Sequence, residues 1–172
     1  MMKTIDKAIA ALENAAMAIG ALTILVLAGV IGASVLGREL FSGGVPDDIV
    51  LAGLLMIPML MLPLARVHRE DGHIAVTVLT NWMSPRGLAF LKILANSVGL
   101  VFFGGIGWFL ARKIPRDFDG GAYYDGELMI TVWPMKVVFA IGISLFLARL
   151  LLELIKNIRA AFGVAGEIQD SQ

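Results

Sequence analysis

The chain has 172 residues, 58% of them hydrophobic and 16% charged, with a mean hydropathy of +0.84. Soluble domains carry about a quarter charged residues, so a water-soluble core is the wrong starting picture. Equal numbers of basic and acidic residues leave no surplus for nucleic acid, and the absence of cysteine removes disulfides, thiolate metal sites and cysteine catalysis.

No internal repeat or low-complexity tract divides the sequence, so a single membrane domain over residues 1–172 is expected. The first uncharged run, residues 14–37, is long enough for a helix to cross the hydrocarbon layer, which takes about 20 residues. It is too long for a signal-peptide core, and no small-residue cleavage site precedes Arg38. The second span is expected over 47–65. Pro46, Asp47 and Asp48 suit the first turn of its helix, and Pro58 and Pro63 should kink its second half. The third is expected over 88–111, with Ser84-Pro85 as the N-cap and first position of its helix.

The fourth span rests on less. Only twelve uncharged residues separate Lys136 from Arg149, but apolar residues continue on both sides. Trp133 is placed like an interfacial anchor and Lys136 can snorkel toward water, which predicts a span over 134–156. With the N-terminus in the cytoplasm, nine basic residues face inside (Lys3, Lys7, Arg66, Arg69, Arg86, Lys92, Arg149, Lys156, Arg159) and five outside (Arg38, Arg112, Lys113, Arg116, Lys136). The positive-inside rule therefore places both termini in the cytoplasm and the loop before Lys136 outside.

Between the second and third spans stands "REDGHIAV", residues 69–76. The residues after it sort on a helical wheel into an apolar arc (Ile74, Ala75, Val76, Val78, Leu79, Trp82, Met83) and a polar one (Thr77, Thr80, Asn81). A short amphipathic helix over about 73–83, lying at the membrane surface, is expected there. Arg69, Glu70 and Asp71 would form the solvated turn leading into it. His68 and His73 lie about 140° apart on a helix, a poor metal spacing, and general acid–base chemistry would need a pocket that nothing else suggests.

No span contains a conspicuous acid. The first has Thr23 and Ser34 as polar groups past Asn14, and the third has Asn96 and Ser97. A proton-coupled exporter would place a carboxylate within a span, a thiol oxidase needs cysteines, and a di-haem cytochrome needs histidines inside helices. What the spans do offer is small residues at four-residue intervals: Gly29, Ala33 and Gly37; Ala95 and Gly99; Ala140, Ser144 and Ala148. Such stripes let helices approach closely in lipid, within the bundle or against a partner. Arg149 and Glu153, one turn apart, can pair along their helix or with a neighbour.

In order along the chain come Arg38 and Phe41 after the first span, Pro46-Asp47-Asp48 before the second, Arg69, Gly72, His73, Ile74 and Val76 after it, and Trp133-Pro134 opening the last helix. This order resembles the small membrane subunit of tripartite ATP-independent periplasmic (TRAP) transporters over about residues 30 to 155. It departs from the family pattern at Thr77, where an acid is common, and at Asp47-Asp48, where a glutamate is more usual.

The resemblance implies a four-helix inner-membrane protein, not an enzyme, that braces a large transport subunit. It also implies help in docking a periplasmic substrate-binding protein for sodium-driven uptake of a small organic acid. The partners implied are that large subunit, the binding protein transiently, and membrane lipid. No cofactor is expected on this chain, and sodium is expected on the large subunit. No catalytic, metal-binding or substrate-binding residue is expected either. The candidate contact or structural residues are Gly29, Ala33, Gly37, Arg38, Asp47, Asp48, Arg69, Asp71, His73, Trp82, Trp133, Arg149 and Glu153. Two other classes stay open at this point: a stand-alone oligomeric small transporter or channel, and a structural four-span protein.

Overall fold

A computed structural model describes residues 2–41, 43–71 and 85–167. Helix α1, Met2–Phe41, begins twelve residues before the expected span. Nothing between Met2 and Asn14 is a glycine or a proline, so the charged N-terminal turns continue the helix instead of ending it. It closes where the Gly43 N–H reaches back to the Gly37 carbonyl, at 3.2 Å.

The second span is built from two helices, α2 (Asp48–Met61) and α3 (Leu64–Asp71). Pro58 stays inside α2, whereas the break falls at Leu62-Pro63. Proline has no N–H to offer the preceding turn, and the ladder resumes with the Val67 N–H on the Pro63 carbonyl at 2.9 Å. Arg69 and Glu70, expected in a turn, are therefore helical. The expected interfacial helix over 73–83, including His73 and Trp82, lies outside the described residues, as does the Asp71 side chain.

Helix α4 (Pro85–Asp119) and helix α5 (Trp133–Glu167) complete the bundle. Pro85 opens α4 as expected, and Pro134 sits in the first turn of α5, where its missing N–H costs nothing. The residues joining them fold back as a short antiparallel pair. The Val132 N–H donates to Ala122 and the Tyr124 N–H to Ile130, with Met129 in the left-handed region (φ 44) at the return.

Four segments are long and apolar enough to cross a membrane: Asp6–Phe41, Asp48–Glu70, Phe90–Asp119 and Trp133–Arg159. The protein is an all-α, multi-pass membrane protein. Helix α5 is its spine, touching α1, α2, α3 and α4, while α4 packs chiefly against α5. Their shared core holds Ala65, Phe146 and Leu150, with Phe103 edge-on to Phe146 at 4.8 Å between ring centroids.

Close approach depends on glycine at two crossings. A Cβ at Gly142 would stand 2.7 Å from the Met61 carbonyl oxygen, and one at Gly20 would stand 2.8 Å from the Pro63 ring. Gly99, from the second expected stripe, lies against Leu150 in the same way, though less tightly.

Candidate functional site: a buried charge cluster and a latch at the opposite end

Two groups of polar side chains tie the helices together. One lies at the end of the bundle that carries both chain termini and the other at the loop end.

At the terminal end, Asp6 and Glu13 are seven residues apart on α1, as Arg149 and Lys156 are on α5. Seven residues are close to two helical turns, so each pair lies on one face, and antiparallel packing brings acid against base. Glu13 is fully buried and Arg149 is 2% exposed. The Arg149 guanidinium donates Nε to Glu13 Oε1 at 2.6 Å and Nη2 to Oε2 at 2.7 Å, a bidentate fork, and Nη1 to Asp6 Oδ1 at 2.9 Å. Lys156 donates to the other Asp6 oxygen at 2.9 Å.

Helix α3 adds a third side to this cluster. Arg69 Nη1 donates to Glu13 Oε2 at 2.9 Å and its Nη2 to Asn14 Oδ1 at 3.2 Å. Arg66 bridges Asn14 (2.9 Å) and Glu70 (2.8 Å). Glu13 thus receives two arginines from two different helices, and α1, α3 and α5 are fastened at one carboxylate.

Glu153 does not pair with Arg149. Its Oε2 lies 3.0 Å from His68 Nε2, an ion pair only when the imidazole is protonated, and no hydrogen bond joins them. His68 also sets its ring edge-on to Phe146, with 5.4 Å between centroids.

At the loop end the polar contacts are shallower. Asp48, in the first turn of α2, accepts from the Ser34 hydroxyl and from Arg38 Nη2 at 2.9 Å, with the Arg38 side chain 58% exposed. Ser34 itself is buried. Asp47 takes the left-handed conformation (φ 52) and gives no side-chain hydrogen bond to the helix it precedes. Its carboxylate instead accepts the Leu128 N–H at 2.7 Å, and Gly126 lies so close beneath it that a side chain there would have to displace the carboxylate. Lys136, expected to snorkel, is held by Asp117, and Trp133 stacks edge-on against Phe118 at 5.3 Å.

Of the residues singled out in the sequence, Arg38 meets Asp48, Arg69 and Arg149 meet at Glu13, Asp47 meets the α4–α5 connection, and Trp133 packs on the end of α4. The stripe on α1 splits. Gly29 and Ala33 are exposed, with open space beside Gly29, whereas Gly37 is closed off by its own chain: a Cβ there would lie 2.5 Å from the Gly43 carbonyl oxygen. Asp6, Glu13 and Lys156 were not among the expected residues. The matched seven-residue spacing of acids and bases on the first and last helices is the signal that could have found them.

Residues 27–160 match the family model described as "Tripartite ATP-independent periplasmic transporters, DctQ component". No curated protein matches the chain, and no solved structure does.

Proposed function

The chain belongs to the DctQ component family of the tripartite ATP-independent periplasmic transporters, and on that premise we propose that it is a bracing subunit with no transport site of its own. In this reading it sits in a bacterial inner membrane with both termini in the cytoplasm. It steadies a large transport subunit that carries sodium and a small organic acid, and its loop end helps seat a periplasmic substrate-binding protein.

The observation that carries the reading is how the charges near the membrane are used. A transport site keeps ionisable groups available to an ion or solute. Here Glu13 and Arg149, the most deeply buried of them, hold each other in a bidentate fork, and their remaining contacts go to Arg69 and Asp6 of the same chain. Such saturation suits a scaffold. The exposed Gly29 and Ala33 leave a shallow strip on α1 where a partner helix can approach.

The test is co-purification combined with uptake. A tagged copy should recover the large subunit from solubilised membranes, and deleting this chain should abolish uptake of the organic acid. Gly29→Leu and Ala33→Leu should lower that recovery several-fold while the amount of this chain in the membrane stays constant. Uptake by this chain alone in vesicles would overturn the reading. Unchanged recovery with both leucine variants would move the contact to another face.

A further inference from the structure

We propose that the outer face of α4 carries a binding site for the phosphate groups of anionic phospholipids, formed by Arg112, Lys113 and Arg116 at the loop end of the helix. At 100° per residue, Phe90, Val98, Val101, Phe102, Trp108 and Phe109 fall within one arc of α4 about 120° wide. All six are exposed, because the opposite side of the helix packs on α5. From Phe90 to Phe109 the stripe is about 28 Å long at 1.5 Å per residue, close to the roughly 30 Å thickness of the hydrocarbon layer.

The stripe ends in a defined order. Trp108 and Phe109 close it, 65% and 63% exposed, and the amphipathic indole of Trp108 favours the boundary with the headgroups. One turn further, on the same side of the helix, the cations begin. The Arg112 guanidinium lies over the Trp108 ring at 4.7 Å, and Lys113 Nζ lies 5.7 Å from the centre of the Phe109 ring. Arg116 follows one turn beyond Arg112.

The three cations therefore lie about 4 to 11 Å of helix rise past the end of an apolar stripe of bilayer length, within the headgroup layer where lipid phosphates lie. All three are exposed, and none has an acidic side-chain partner among the described residues. Asp117, the acid on the next position of the helix, points to Lys136 instead. A row of aromatics followed by unpaired cations at headgroup depth matches the order in which a phospholipid presents acyl chain, glycerol and phosphate. Protein acids on a neighbouring subunit would have no reason to keep that spacing.

The sequence holds three tryptophans, so Trp82→Phe with Trp133→Phe leaves Trp108 as the reporter beside the site. The full-length chain is reconstituted in phosphatidylcholine vesicles, and its fluorescence is quenched either by brominated phosphatidylglycerol or by brominated phosphatidylcholine at equal mole fraction. Phosphatidylglycerol should quench at least twofold more strongly. The preference should shrink as salt rises tenfold, and it should vanish in Arg112→Gln/Lys113→Gln/Arg116→Gln. Equal quenching by the two lipids in the parent would overturn the proposal. So would a preference that survives the triple substitution, or a Trp108 shielded from both lipids because protein covers this face. The salt series on the parent alone decides the matter if the triple variant does not insert.

Discussion

The two ends of the bundle hold their helices with the same residue types at different depths. At the terminal end, Glu13 and Arg149 are withdrawn from solvent and joined by two hydrogen bonds, with Arg69 and Asp6 completing both groups. At the loop end, Arg38 reaches Asp48 through one nitrogen and is otherwise exposed. Depth decides what such a contact is worth. A buried ion loses its hydration whether or not it is paired, so its partner becomes indispensable. An exposed ion exchanges its partner for water at little cost. The terminal end is therefore fixed by its fully buried charges, while at the loop end the weight is shared among partly exposed contacts: Phe118 on Trp133, Lys136 on Asp117 and the Leu128 N–H on the Asp47 carboxylate.

The largest effect should follow from cutting the buried fork on one side. Glu13→Gln removes the carboxylate that Arg149 and Arg69 share and leaves Arg149 only its single contact to Asp6, and removing one partner of a buried pair costs about 3–5 kcal/mol. The amount of protein in the membrane and its thermal unfolding in detergent should both fall accordingly. Glu13→Leu combined with Arg149→Met should be milder than either single change. In the double variant Arg69 still reaches Asn14, and Asp6 still holds Lys156. A double variant worse than both singles would show that the cluster stabilises the fold as a unit and not as a pair that must stay matched.

This end was also the least legible in the sequence. A charge marks a boundary in an apolar sequence, so the expected first span starts at Asn14, one residue after the acid on which three helices converge. Periodicity shows which residues share a face of one helix, but not which faces meet. The one-turn spacing of Arg149 and Glu153 leaves open whether they pair along their helix or with a neighbour, and packing decides for neighbours: Arg149 turns to α1 and Glu153 to His68. The four spans were legible because their length and apolar content are local properties. Arg38 and Asp48 were legible for a related reason: they flank a short connection, and neighbours in sequence there are neighbours in space.

A contact of intermediate size tests whether the bundle is set by charge alone. At the α2–α5 crossing, a Cβ at position 142 would lie 2.7 Å from the Met61 carbonyl oxygen and 2.9 Å from its carbon. Both atoms belong to a backbone that cannot rotate away, so Gly142→Ala must push the helices apart, at a cost of about 1–3 kcal/mol as for other overpacked sites. The expected result is a lowered unfolding temperature at unchanged helical content by circular dichroism. A silent Gly142→Ala would mean that α2 can shift on α5 and that this close contact does not set their spacing.

The smallest effect belongs to the loop end, and it is the sharpest test of depth as the deciding variable. Arg38→Ala removes one hydrogen bond from a side chain that already faces solvent, and water replaces it on Asp48. Unfolding temperature and membrane abundance should not move measurably. Asp48→Ala should do slightly more. It also strips the acceptor from the Ser34 hydroxyl, and Ser34 is 1% exposed, where water does not easily follow. The loss stays small because a serine within a helix can turn its hydroxyl onto the carbonyl one turn back, as Thr23 does to Ile19 at 2.8 Å. The order expected is thus Glu13→Gln far above Asp48→Ala, with Arg38→Ala near zero. If Arg38→Ala matched Glu13→Gln in its effect, the exposed pair would be acting as a true latch on the α1–α2 turn, and burial would no longer explain the difference between the two ends.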